Sequence, residues 1–159
     1  AWEEARCNSI VYLADNGIKV KVWGSEEWRV ICAQHKNLEF AGRELLDESY
    51  CKAICGCKIS LCFLRKMNLD LQTTRTVEIP ACGSFMLAER TSEHLEMFED
   101  GKEAVFFETN QELLDKCKYY LLHERERKQI AVAGHNRCEL SGYSNSRRIK
   151  AIIEYVLNK

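Results

Sequence analysis

The chain has 159 residues, 30% of them charged, yet its formal charge is only -1. That length suits one domain, here taken as 1–159, able to bury roughly 70% of the surface its unfolded form exposes. The cancelled charge excludes a polyanion-binding surface, so no nucleic acid partner is expected, and no apolar run of about eighteen residues suggests a transmembrane segment.

Nine cysteines are scattered as Cys7, Cys32, Cys51, Cys55, Cys57, Cys62, Cys82, Cys117 and Cys138. An odd number in a chain apolar enough to fold without staples points to reduced, buried thiols and a cytoplasmic setting. A metal site from Cys51, Cys55, Cys57 and Cys62 is the sharper alternative, but the set lacks the paired spacing of a zinc ribbon, and Cys62 sits in an apolar strand pattern. No metal and no cofactor are expected. The chain starts at Ala1 without methionine and enters a helical pattern at once, which suggests a part of a longer two-domain polypeptide.

Taken in order, helices and strands alternate without repeats. From Trp2 to about Asn16, Ala5, Ile10, Val11, Leu13 and Ala14 share a helical face, and Asp15-Asn16-Gly17 ends it. Ile18 to Trp23 alternates as a strand whose carboxyl end carries the Gly24-Ser25 loop. The pattern from Glu26 to Asn37 is poor. A short strand at Leu38 to Phe40 and a helix at about Asp47 to Cys55, packing Tyr50, Cys51, Ile54 and Cys55, follow. Strand Lys58 to Leu64 leads into the polar loop Arg65 to Asp70.

The stretch Thr73 to Gly83 then reads as a helix with threonine caps, an arginine and a glutamate one turn apart, and a glycine stop. Pro80 predicts a kink there or two short pieces, because inside a helix it removes a backbone bond and clashes with the carbonyl of Thr76. Strand Ser84 to Glu89, a short helix at Glu93 to Phe98, the turn Glu99 to Gly101 and strand Ala104 to Phe107 come next. Three helices close the chain at about Gln111 to Leu122, Glu124 to Leu140 and Ser144 to Leu157, with Asn110 and Ser144 as caps. His35, His94, His123 and His135 show no partner spacing and take surface or helix-face positions by default. The last helix carries Arg147, Arg148 and Lys150 on one face and Ile149, Ile152, Ile153 and Val156 on another, an amphipathic docking pattern.

Alternation of this kind predicts an α/β, Rossmann-like, mostly parallel sheet with helices on both faces. Neither Gly-x-Gly-x-x-Gly nor a phosphate-loop lysine motif is present, so ordinary dehydrogenases and P-loop enzymes are excluded. Ligands of such sheets bind where strand ends meet helix starts, here the loops after Trp23, Leu64 and Phe107 and the helix holding Glu78.

Arg75-Thr76-Val77-Glu78-Ile79-Pro80-Ala81-Cys82-Gly83-Ser84-Phe85-Met86-Leu87, then Phe98 to Glu103 and Phe106-Phe107, resembles the carboxyl-terminal domain of group 1 glycosyltransferases in their CgeB-like (spore maturation protein) branch. Glu112-Leu113, Tyr119 to Leu122, Ala133-Gly134 and Arg137 continue the likeness, as do Arg6, Val20 to Gly24 and Trp28 upstream. The resemblance implies one half of a GT-B architecture, the domain that binds a nucleotide-diphosphate sugar, with the domain's first strand and an amino-terminal acceptor domain outside this sequence. It also implies a hexosyltransferase-like activity of the longer protein and none for this domain alone.

By resemblance Glu78 matches the glutamate that takes the donor ribose hydroxyls; the family's other motif glutamate falls at Leu71, with Asp70 beside it as a substitute. A carboxylate suits two neighbouring hydroxyls because it offers two acceptor oxygens. Arg75 and Arg65 would clamp the diphosphate and stabilise the leaving group, and Thr73 and Thr74 would lend backbone amides at the helix start. Gly24 and Ser25 complete the expected donor site, one wall of which is the Thr73 to Gly83 stretch read with the loop Arg65 to Asp70 before it and Gly101-Lys102-Glu103 after it. The competing reading is a non-catalytic Rossmann-like binding or interaction module, with Glu78 an ordinary surface residue paired to Arg75.

Overall fold

The computed structural model describes residues 3–158. Helix α1 (Glu4–Asp15), strand β1 (Val20–Trp23), helix α2 (Glu27–Cys32) and strand β2 (Leu38–Gly42) form its first part. Helix α3 (Asp47–Gly56), strand β3 (Ser60–Cys62), a 3-10 turn at Lys66–Asn68, helix α4 (Thr74–Ala81), strand β4 (Met86–Glu89), helix α5 (Ser92–Met97) and strand β5 (Val105–Phe107) form the middle. Helices α6 (Asn110–Leu122), α7 (Glu124–Ser141) and α8 (Asn145–Leu157) close it.

Every ladder is parallel, as the alternation requires. The strands form two sheets, β1-β2 and β3-β4-β5, and not one. Registers such as Val22 opposite Phe40, Leu61 opposite Leu87 and Ala88 opposite Phe106 align the apolar runs. The ladders are shorter than those runs because pairing stops where neighbours no longer overlap. Phe63, Leu64 and Phe85 stay buried all the same.

Side chains alternate across a strand, and the core follows that rule. Leu87, Val105 and Phe107 join Leu13 of α1, Trp28 of α2, and Leu113 and Cys117 of α6 in one apolar cluster. Met86, Ala88 and Phe106 join Ile54 of α3, Ile79 of α4 and Phe98 in a second. So β4, buried on both faces, reads as the uninterrupted apolar run of a parallel strand. Helix α7 spans both clusters, with Ile130 and Ala131 in the first and Cys138 in the second. A methyl group on Gly134 would stand 2.3 Å from the Glu103 carbonyl oxygen, so only glycine lets α7 approach the 99–103 turn this closely.

Several local expectations are corrected. The poor pattern at 26–37 holds α2, a helix of 6 residues, too short for a helical period to show. Helix α4 runs unbroken through Pro80, which lies in its last turn and is fully buried, so only the Thr76 carbonyl loses a helical donor. Thr109 caps α6, its hydroxyl oxygen accepting from the Glu112 N–H at 3.1 Å, whereas Asn110 is the first helical residue and accepts from the Ser9 hydroxyl at 2.7 Å. Ser144 does cap α8. Ala5, Cys51 and Cys55 face outward because the buried stripes of α1 and α3 run through Cys7, Ile10, Leu13 and Ala14 and through Ile54. The apolar residues of α8 are exposed, and none is buried against the core. Trp2, placed in the first helix from sequence, lies outside the described residues.

Candidate functional site

The carboxyl ends of β3 and β4 are tied together by one carboxylate. Glu89 Oε2 accepts the Leu64 N–H at 2.6 Å and Oε1 pairs with Lys66 Nζ at 2.7 Å. The Lys66 N–H in turn donates to Glu3 Oε1 at 2.6 Å, so the start of α1 is held against this loop. Lys66 is therefore engaged, while the neighbouring Arg65 is exposed and makes no ion pair among the described residues. The Asp70 N–H closes the loop on the Arg65 carbonyl at 3.3 Å, and Leu69 takes a left-handed φ of 55° that costs a non-glycine residue about 1 kcal/mol or more.

Inside the fold, a buried chain of polar groups sets the start of α4. His94 Nδ1 lies 2.6 Å from the Glu89 carbonyl oxygen, which can only accept, so Nδ1 carries the proton and Nε2 is an acceptor. The Thr76 hydroxyl, 2.9 Å away, then donates to Nε2 while its oxygen accepts the Thr73 N–H at 3.0 Å. Thr76 and His94 are both 0% exposed. Burial pushes the His94 pKa down, which keeps the neutral tautomer this chain requires. The surface position expected for His94 is thus corrected: its ring stacks on Phe106, with centroids 5.5 Å apart.

The outer face of α4 differs. Arg75 and Glu78 are exposed and form no ion pair with each other. Glu78 instead accepts from the Tyr50 hydroxyl, Oε2 at 3.0 Å, and its Oε1 has no partner among the described residues. Burial, with Glu78 adding to it, raises the Tyr50 pKa, so the phenol remains a donor at any ordinary pH. The backbone N–H groups of Thr74 and Arg75 open the helix with no acceptor among the described residues, as first-turn amides do.

The other expected residues are distributed as follows. Gly24 ends β1 with its N–H on the Gly42 carbonyl at 3.0 Å, and a methyl group there would stand 3.1 Å from the Trp28 ring. Ser25 is occupied locally, its carbonyl accepting the Trp28 N–H and its hydroxyl holding the exposed Glu27 carboxyl below its usual range. Thr73, Thr74, Arg75 and Glu78 are thus brought onto one helix, with Arg65 and Asp70 in the loop before it. Glu103 is engaged by its own turn, accepting the Glu99 N–H at 2.9 Å, and that turn packs on α7.

Sequence reasoning missed Tyr50 as the partner of Glu78, the Thr76–His94 pair and Glu89. Only Glu89 left a signal, a carboxylate at the carboxyl end of a parallel strand. The thiols also separate by position. Cys62 is fully buried, its pKa pushed up to about 11 by burial, whereas Cys51 and Cys82 meet at the edge of the site with sulfurs 3.5 Å apart. Among the described residues no group of three or more potential ligands is placed to hold a metal ion.

Parallel α/β sheets covered by helices define a Rossmann-like half-domain, the fold of the glycosyltransferase halves on which it superposes. The chain matches the family described as glycosyl transferase-like over residues 6–154, and it belongs to that family. HepE of Anabaena, solved in complex with UDP-glucose, superposes with a TM-score of 0.65 at 12% identity, over 87% of this chain and 41% of that one. The same protein in complex with UDP gives 0.66 at 13% identity, over 99% and 46%. A glycosyltransferase from Rickettsia africae gives 0.66 at 12% identity, over 94% and 42%. The chain therefore spans less than half the length of these structures. No curated protein matches it. Among the described residues, no helix is long and apolar enough to cross a membrane.

Proposed function

We propose that the chain is the donor-binding domain of a glycosyltransferase of the CgeB-like branch, taking a nucleotide-diphosphate sugar on the outer face of α4. The observation that carries this reading is the state of Glu78: one carboxylate oxygen is fixed by Tyr50 and the other is open, on a helix whose first amides are also open. Two ribose hydroxyls need adjacent acceptors held in one orientation, and a carboxylate anchored at one oxygen meets that need. The UDP and UDP-glucose bound by HepE support a uridine nucleotide as the first ligand to try.

In this reading Arg75, Arg65 and the open amides of Thr74 and Arg75, at the helix start that Thr73 caps, face the diphosphate, while the Thr73 amide expected there is spent on Thr76; Asp70 lies beside them and Gly24 and Ser25 bound the site from the end of β1. As the sugar leaves, negative charge gathers on the departing nucleotide, and cations and dipoles already in place stabilise it without reorganising. No acid–base pair is assigned within this domain. The acceptor is held by a second, amino-terminal domain of a longer cytoplasmic polypeptide, so the chain alone transfers no sugar.

Thermal denaturation with uridine diphosphate tests the proposal. A ligand at a hundredfold excess over its Kd stabilises the fold by about 2.7 kcal/mol. At about 2–4 °C per kcal/mol for a domain of this size, the expected rise is several degrees. Glu78→Ala should abolish most of that rise. No shift with either uridine or guanosine diphosphate, or an equal shift in Glu78→Ala, would remove the donor-binding reading and leave an interaction module in its place.

A further inference from the structure

Two thiols meet beside the Tyr50–Glu78 bond. Cys51 lies on the outward face of α3 and is exposed, while Cys82 caps the end of α4 and is half-buried. Their sulfurs are 3.5 Å apart, with Cys82 donating to Cys51, although the two residues stand 31 positions apart in sequence. A disulfide needs about 2.05 Å between sulfurs, so side-chain rotation has about 1.5 Å to close. The backbone at this end leaves room for that movement: α4 stops at Cys82, and Gly83 turns the chain away at a φ of 71° with open space around it. The other thiols are placed differently. Cys55 sits one turn along α3 from Cys51, and residues four apart on a helix hold their Cβ atoms about 5–6 Å apart, beyond the span of about 3.5–4.5 Å that a disulfide accepts. Its S–H donates to the Cys82 carbonyl at 3.2 Å, which holds the end of α4 against α3 and keeps Cys82 in front of Cys51. Cys7, Cys32, Cys62, Cys117 and Cys138 are buried in the two apolar clusters, closed to reagents from solvent.

We propose that Cys51 and Cys82 form a reversible redox pair, oxidised to a disulfide by a low-molecular-weight disulfide and reduced again by the corresponding thiol, and that the bridge latches α3 to α4. The exposed Cys51, as thiolate, attacks one sulfur of the reagent; the other sulfur leaves as a thiolate and takes up the proton that Cys51 has given up. The Cys82 sulfur then attacks Cys51 in this mixed disulfide. The Cys51–Cys82 bond forms, the second reagent thiolate leaves, and the Cys82 proton goes to it. Two protein thiols are thereby oxidised, and one disulfide is reduced to two thiols.

Position sets the order of the two steps. Burial pushes the Cys82 thiol up to about 12, with the neighbouring Cys51 sulfur adding to it, so Cys82 keeps its proton until a leaving thiolate is there to accept it. Cys51 is the more open of the two and meets the reagent first. Because the sulfurs already touch, the second step is intramolecular and outruns attack by another reagent molecule. Tyr50 precedes Cys51, and the Glu78 carbonyl accepts the Cys82 N–H at 3.0 Å, so the bridge fastens the two segments whose side chains meet in the Tyr50–Glu78 bond. Its formation needs no nucleotide and is read without one.

The test is equilibration of the folded chain with mixtures of reduced and oxidised glutathione, followed by acid quench, alkylation of free thiols and peptide mapping by mass spectrometry. The expected product is an intramolecular bond between the Cys51 and Cys82 peptides, removed by dithiothreitol. Cys82→Ser should instead leave Cys51 as a glutathione mixed disulfide, about tenfold or more abundant than in the wild type, and Cys55→Ser should still form the bridge. A bridge that closes so long a loop in native geometry should raise the melting temperature of the oxidised chain above that of the reduced one, by about 5 °C or more. Three results would each overturn the proposal: a folded wild-type chain in which Cys51 stays reduced or stops at the mixed disulfide, a bond from Cys51 to Cys55 or to a second molecule, or a bridged chain that melts below the reduced one.

Discussion

The two faces of α4 follow opposite rules. Its inner face spends every polar group on the protein: Thr76 bridges the Thr73 amide and His94, His94 reaches the Glu89 carbonyl, and Ile79 and Pro80 are buried beside Gly134 of α7. Its outer face keeps an arginine and a half-used carboxylate in solvent, and among the described residues Tyr50 alone steadies the carboxylate. The contrast separates stability from the proposed binding on one helix of 8 residues, so substitutions on the two faces should move different observables.

The largest effect should come from the inner face. Thr76→Val keeps the shape but leaves the Thr73 N–H and His94 Nε2 unpaired in the interior, and stability measured by denaturant unfolding should fall by about 2–4 kcal/mol. Gly134→Ala forces a methyl group into the Glu103 carbonyl and should cost about 1–3 kcal/mol, although alanine ordinarily favours a helix over glycine. Neither change should move the ligand contacts of the outer face, so the remaining folded protein should bind nucleotide as before. Tyr50→Phe reverses the pattern, removing one bond to a part-exposed carboxylate. Affinity should weaken by a factor corresponding to about 0.5–1.5 kcal/mol, with a smaller loss of stability.

The pH dependence sharpens the same contrast. The ordinary His94 value is 6.5, and burial lowers it in the fold. Its neutral form is the native one, so below that ordinary value the unfolded state binds more protons. Its contribution is then complete above the ordinary value and is lost as pH falls from there toward the lowered folded value. Melting temperature should drop across that window, and His94→Gln should flatten the drop.

Most of the element order was legible because periods of two and of roughly three and a half recur over long enough runs. Thr73 and Ser144 were readable as helix starts from residue type alone. At the start of α6 residue type pointed to Asn110, yet the adjacent Thr109 is the cap and Asn110 bonds Ser9 across the fold, a contact that local sequence does not reveal. Pro80 misled because a rule for helix interiors was applied to a last turn. The site was legible only where its residues are contiguous. Nothing local links Tyr50 to Glu78, 28 positions later, or Thr76 to His94, 18 positions later, because parallel topology brings them together only after both helices dock. The division into two sheets was likewise invisible, since each strand pattern is the same whether its edge is paired or free.

The central claim is that the outer face of α4 takes a nucleoside diphosphate through Glu78. Isothermal titration of uridine diphosphate into the wild-type chain and Glu78→Ala, with melting temperatures recorded without ligand, tests it most directly. Saturable binding should weaken at least tenfold in Glu78→Ala, about 1.4 kcal/mol or more, with ligand-free stability changed by no more than about 0.5 kcal/mol. An unchanged Kd, or an affinity loss that merely follows a loss of fold, would contradict it.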